Sequence, residues 1–240
     1  MTVGEIIYLA VATVFAGTLS AVTGFGGAAI LLPLLIPIFG ARDSVPILTV
    51  AQLIGNGSRA VFNRRDLDRA VIVRFAAGAV PAAVLGAVLF TRTPSPLLTR
   101  LLGAFLLCVV VCRQLAPQRS GAMPLRGFTI LGAISSFLSA IIGSVGPLMA
   151  PFFLAYGLVK RAYIGTEAAA SLIMHGTKAI VYGGTAMLAP SGVVAGACLG
   201  TGLLIGSYFG KRIVDRISSA VFVLLIETSL AISGLILLFS

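Results

Sequence analysis

The sequence predicts an all-α polytopic membrane protein made of two inverted repeats, each a broken-helix hairpin plus three transmembrane helices. Three observations predict this: apolar runs from end to end, a self-match at one constant offset, and a one-sided distribution of loop cations. Across 240 residues the chain is 58% hydrophobic and only 10% charged, with a mean hydropathy of +1.10. A bilayer-spanning helix needs a predominantly apolar run of about 17 to 25 residues. Such runs recur here with short polar punctuation that leaves no room for a soluble domain. Glu5 stands before the first run, where a secretory signal would carry basic residues, and the run leads straight into more membrane sequence, so it reads as a span.

The self-match pairs Ser20 with Ser139, Gly24 with Gly143, Gly27 with Gly146, Arg42 with Arg161 and Leu53 with Leu172, all 119 positions apart. At the same offset NGSRAV (56–61) aligns with HGTKAI (175–180). One register held that long marks an internal repeat. It divides a single membrane domain into halves at 1–116 and 126–240, joined by a linker at 117–125.

Each half opens on an apolar segment, at 6–22 and 127–142, which stops at a cluster of glycines and resumes as a shorter segment, at 28–39 and 147–157. Three further helices follow at 44–62, 70–91 and 97–115, and again at 162–187, 190–210 and 217–239. Loop cations decide whether a broken pair crosses the membrane or returns to its starting side. If each pair crosses once, Arg64, Arg65, Arg69, Arg113, Arg119 and Arg126 face Arg42, Arg92, Arg100, Lys160, Arg161, Lys211, Arg212 and Arg216 across the bilayer, with no useful bias. If each pair returns, Arg42, Arg92 and Arg100 stand on one side and the other eleven on the opposite one. That is the positive-inside pattern. A returning hairpin leaves three crossings per half, so the second half is inverted.

Inversion brings two glycine tips into the membrane from opposite faces: Gly24, Phe25, Gly26 and Gly27 after Ser20, and Gly143, Ser144 and Gly146 after Ser139. Broken backbone at that depth is tolerated where it is buried in protein or lines a polar cavity, which is how inverted-repeat transporters build substrate sites. Glycines that only let helices approach are the alternative reading. Pro147 fits a first helical turn, so each tip presents a helix N-terminus, whose free N–H groups bind anions.

Arg59 and Lys178 occupy equivalent places in otherwise apolar helices, each behind a hydroxyl, Ser58 or Thr177. A cation inside a span marks a pathway or a partner, unless it snorkels from a helix end. Gln52, Asn56 and Arg59 share one helical face, as do Glu167, Ser171, His175 and Lys178. Glu167 and His175 suit proton coupling or a structural network, and Glu227, alone in the last helix, suits a proton or an ion pair. Ladders of Gly196, Gly200, Gly202, Gly206 and Gly210, and of Ala79, Ala83 and Ala87, are packing surfaces that also suit a homodimer interface.

Several functions are disfavoured. The net charge of +10 would suggest nucleic acid in a soluble protein, but no soluble basic module exists to carry it. Cys108, Cys112 and Cys198 lie in apolar runs as packing residues. One histidine rules out multi-histidine metal chemistry, no Ser-His-Asp arrangement appears, and neither a cofactor nor enzymatic activity is expected.

The early G-F-G-G-A followed by a proline, the later G-x-x-G-P, the NGSR and HGTK runs and the two-half layout resemble the sulfite exporter TauE/SafE family of bacterial membrane permeases. The resemblance covers nearly the whole chain, although the second tip reads GSVGP where a richer glycine run is often seen. It implies a multi-pass protein of the bacterial inner membrane that moves a small sulfur-containing anion such as sulfite, a sulfonate or sulfoacetate. The anion is then the expected partner, and the reading of the residues themselves places it among the tip residues with Asn56, Ser58, Arg59, His175, Thr177 and Lys178. Export of a monovalent anion is driven by an interior-negative potential, about 2.3 kcal/mol per 100 mV. A passive small-anion channel is the alternative, and a membrane enzyme a more distant one.

Overall fold

The computed structural model describes residues 3–25, 27–94, 97, 123–143, 145–222 and 224–225. Among them every regular element is helical: α1 (Val3–Thr23), α2 (Gly27–Phe62), α3 (Arg69–Arg92), α4 (Gly127–Ile142), α5 (Gly146–Ala155), α6 (Lys160–Gly184) and α7 (Pro190–Arg216). The expected helices at 97–115 and 217–239, and the linker at 117–125, lie largely outside the described residues.

The 36 residues of α2 would run about 54 Å if straight, well beyond a hydrocarbon core of about 30 Å. Gly40 divides the helix, with φ 76° and ψ 160°, a conformation open in practice to glycine alone. The legs on either side, 27–39 and 41–62, are the two segments expected at 28–39 and 44–62; the connection is one residue instead of a loop. In the second half the same junction is a true turn at 156–159, with Gly157 at φ 100°. Helices α4 and α5, of 16 and 10 residues, are too short to cross a bilayer singly. Four of the described helices, α1, α2, α3 and α7, are long and apolar enough to do so. Helix α6 has the length, but it carries Lys160, Arg161, Glu167 and Lys178.

The polarity of the fold is inside-out, as a lipid-facing protein requires. Ile7, Val11 and Phe15 of α1, Val73 and Leu85 of α3, and Ile130 and Ile134 of α4 are exposed, while Arg59, Glu167, His175 and Lys178 are buried. A bilayer covers apolar side chains at no cost, but each buried polar group needs a partner inside the protein.

Close backbone contacts fix the directions of the helices. Thr13 and Val14 lie against Gly202 and Gly206, and Ala21 against Gly210, so α1 and α7 run parallel. Phe75 lies against Gly132, Gly78 against Thr129 and Gly86 against Phe137, so α3 and α4 are parallel too. Helix α6 instead runs antiparallel to the second leg of α2. Near its start the hydroxyl of Thr166 accepts a hydrogen bond from the Asp68 amide at 2.9 Å. Just beyond its end Met187 Sδ lies 3.5 Å from Arg42 Nη2.

The small-residue ladders are internal seams. Gly196 and Gly200 meet Val50 and Ile54 of α2, and Gly202, Gly206 and Gly210 meet α1. Ala79, Ala83 and Ala87 are fully buried on α3. Those residues are therefore not free to pair with a second copy. The two arginines that open the second legs also have matching roles. Arg42 donates to the carbonyls of Thr91 and Thr93 at the end of α3, at 3.1 and 3.3 Å. Its counterpart Arg161 donates to Asp215 at the end of α7, at 2.7 Å.

Candidate functional site

At both glycine breaks the chain turns on a glycine in the left-handed region. Gly24 has φ 81° and Gly143 φ 84°, and each closes the helix before it by donating its N–H to the fourth carbonyl back, Ser20 or Ser139, at 2.8 Å. This is the usual way for a helix to end on glycine. The following helices start at once, at Gly27 and Gly146, and α5 has Pro147 in its first turn with no side chain capping it. Each tip therefore brings a helix C-terminus and a helix N-terminus to one place, the first with free carbonyls and the second with free amides.

The symmetric cations answer the carbonyls. Arg59 Nη1 donates to the carbonyls of Ser20 at 2.9 Å and Gly24 at 2.7 Å. Lys178 Nζ donates to the carbonyl of Ser139 at 3.2 Å and to its hydroxyl at 2.8 Å. A cation at a helix C-terminus offsets the partial negative charge there, so what remains at each tip is the positive N-terminal end of the next helix.

The two tips meet in one cavity. Its volume is about 30 Å³, room for about two ordered waters or a ligand of that size. Ser20, Gly24, Phe25 and Gly27 line it from the first tip, and Ser139, Gly143, Val145 and Gly146 from the second. Gln52, Asn56 and Arg59 of α2 and Glu167, Ser171 and His175 of α6 complete the wall. Arg59 Nη1 stands 3.8 Å from Glu167 Oε2, a buried ion pair between the halves. Arg59 also donates through Nη2 to Asn56 Oδ1, Asn56 Nδ2 donates to Gln52 Oε1 at 3.4 Å, and Ser171 donates to Glu167 Oε1 at 2.8 Å. Gln52 Nε2, Glu167 Oε2 and His175 Nδ1 are buried without a hydrogen-bond partner among the described residues. Buried polar atoms are nearly always hydrogen-bonded, and three such exceptions around one small cavity are what a polar ligand would satisfy.

Most residues singled out from the sequence meet here, and some do not. Ser58 and Thr177 are absent from the lining; each sits about 100° round its helix from the cation that follows it, and donates to a carbonyl of its own helix, Gly55 at 2.8 Å and Ile173 at 2.9 Å. Lys178, 0% exposed, stands behind the wall and acts through Ser139. The hydroxyl of Ser20 donates to Ala16 O at 2.8 Å. Gly26, Ser144 and Glu227 lie outside the described residues. Three contributors went unremarked in the sequence. Gly24 rests against α6 through Tyr163, whose ring lies where a side chain on Gly24 would go. Ala28 and Met174 supply apolar wall. Nothing in the spacing of Tyr163 signals this, because its counterpart in the first half is Ser44.

A sequence model of the sulfite exporter TauE/SafE family matches residues 9–237. Among curated proteins the chain is 26% identical over 231 residues to the probable membrane transporter protein YjnA of Bacillus subtilis (strain 168), covering 84% of this chain and 89% of the relative. No solved structure matches.

Proposed function

The chain belongs to the sulfite exporter TauE/SafE family, and from that premise we propose that it exports a small sulfur-containing anion across the inner membrane of a bacterium. The anion, sulfite or a small sulfonate, binds near the bilayer midplane between the two hairpin tips. The observation that carries this reading is the shared cavity, where two helix N-termini, the Arg59 guanidinium and the unpartnered Gln52 amide converge. Each of these groups favours negative charge, and the carbonyl ends that would oppose an anion are covered by Arg59 and Lys178. The cavity suits sulfite better than sulfoacetate in this conformation, since it holds only about two waters.

Purified protein in liposomes tests it directly. Sulfite efflux should saturate, accelerate when the outward-driving potential is raised, and show counter-transport when sulfite is present on both sides. Unsaturable flux without counter-transport would mark a channel, and no flux of any sulfur oxyanion would remove the proposal.

The inverted-repeat arrangement is part of the same reading. The antiparallel α2 and α6 support it, as does the exchange in which α1 lies along α7 while α4 lies along α3. Asp43, Asp66 and Ala186 are exposed and distinguish the topologies. With the cation-rich side in the cytoplasm, a membrane-impermeant thiol reagent added to intact cells should label Asp43→Cys and Ala186→Cys and leave Asp66→Cys untouched. Labelling Asp43→Cys and Ala186→Cys from opposite sides would be incompatible with inverted halves.

A further inference from the structure

The polar atoms left unanswered around the cavity are of two opposite kinds, and their pattern describes the ligand more closely than its charge does; the argument rests on the anion-site reading above. The amide chain leading from Arg59 is polarised in one direction. A guanidinium can only donate, so Asn56 turns Oδ1 toward it. Asn56 then has its NH2 group to donate to Gln52 Oε1, and Gln52 is left with Nε2, a donor, on the cavity.

Glu167 presents the opposite. Its Oε1 is taken by the Ser171 hydroxyl at 2.8 Å, whereas Oε2 accepts no hydrogen bond and has Arg59 Nη1 at 3.8 Å, within ion-pair range and beyond hydrogen-bond range. Both side chains are well over nine-tenths buried, Gln52 at 5% and Glu167 at 3% exposure. An oxyanion with no hydrogen of its own would satisfy Gln52 and Arg59 while setting lone pairs against Glu167 Oε2. An anion that is also a donor satisfies all three.

We propose that the ligand is a small oxyanion retaining one O–H, of the hydrogensulfite type: its unprotonated oxygens accept from Gln52 Nε2 and Arg59, and its O–H donates to Glu167 Oε2. His175, which also lines the cavity, completes the ring of contacts in the tautomer that carries its hydrogen on Nδ1 and donates it to an unprotonated oxygen. The repeat makes the acceptor single. Position 48, the first-half equivalent of Glu167, is leucine, so the site offers one carboxylate for one hydrogen and rejects a bare anion of the same size. Glu167 is thereby the residue that determines specificity, and the two half-sites, alike in glycine and cation, differ in this carboxylate as they do in Gln52 against Ser171 and Asn56 against His175.

The test compares two singly charged probes of similar size by calorimetry on the purified full chain. One is sulfite in mildly acidic buffer, where it carries one hydrogen; the other is methanesulfonate, which carries none on oxygen. Wild type should bind hydrogensulfite at least about tenfold tighter, the loss expected when a hydrogen bond to a charged group is replaced by an unpaired acceptor. In Glu167→Gln the Ser171 hydroxyl keeps the amide oxygen, and the NH2 group turns to the cavity as a donor. The preference should then reverse, hydrogensulfite weakening about tenfold and methanesulfonate strengthening. Glu167→Asp, which keeps an acceptor, should retain the wild-type order. Equal affinities in wild type overturn the inference whether or not the variants fold, and so does a preference that survives Glu167→Gln; both leave the anion site standing. Binding of neither probe removes the site itself.

Discussion

Arg59→Ala is expected to cost the protein roughly 3–5 kcal/mol of stability, because it leaves a buried carboxylate without its cation. It also leaves the carbonyls of Ser20 and Gly24, which Arg59 holds at 2.9 and 2.7 Å, without a donor. Thermal unfolding of the detergent-purified variant measures this. The double variant Arg59→Ala/Glu167→Leu should recover a substantial part of the loss, since it removes the stranded charge and gives position 167 the leucine found at its counterpart, Leu48. The two changes are coupled through the 3.8 Å contact, so their effects should be far from additive. Arg59→Lys should fall between, because an ammonium lacks the planar fork that serves two carbonyls and Asn56 together. A single alanine variant as stable as wild type would show that the ion pair and the helix-end contacts contribute nothing.

Gly24→Ala should abolish transport where Gly143→Ala only impairs it. Both glycines have φ near +80°, where an L-residue is disfavoured by about 1–2 kcal/mol, so backbone strain is common to the two changes. Their surroundings differ. A Cβ on Gly24 would stand 2.6 Å from Cζ and Oη of Tyr163, whereas a Cβ on Gly143 would meet only Leu32 and Val45 methyls at 3.4 Å. Tyr163 is fully buried among Phe153, Phe222 and Tyr163's own helix and has no room to retreat, so the first tip must shift and pull the Gly24 carbonyl off Arg59. Liposome flux alongside the yield of folded protein checks the pair, and Tyr163→Leu added to Gly24→Ala should restore part of the flux. Equal damage at the two glycines would mean that strain alone decides.

The all-helical, apolar character of the chain was legible because it is written in composition and in the lengths of the apolar runs. Glycines, serines and cations recur at one offset, and the cation counts favour a returning hairpin over a single crossing. The role of the cations was not legible. Their partners are main-chain carbonyls 35 and 39 residues earlier, and a carbonyl has no letter of its own in a sequence. The Arg59 contact to Glu167 was hidden for another reason: helical periodicity shows which residues share a face within one helix, and says nothing of which face of another helix they meet. Ser58 and Thr177 looked like site residues through adjacency to a cation, but neighbours in a helix point about 100° apart. The kink at Gly40 was marked only by a glycine among prolines, and the sequence alone left residues 40–43 unassigned between two helices.

The exchange of partners between halves sets a condition on how the protein is made. Helix α1 emerges first from the ribosome, yet the helix along which it packs, α7, is the last of the described spans to be synthesised. Until Gly202, Gly206 and Gly210 arrive, the face of α1 that carries Thr13 and Gly17 lacks the helix it packs against. Contacts so distant along the chain form late and leave their surfaces uncovered meanwhile. A ribosome stalled before position 190 should therefore leave α1 inserted but unpacked, a target for membrane quality-control proteases. Two fragments split in the 117–125 linker and produced together should protect one another from degradation, because each supplies the long helix against which the other's hairpin closes.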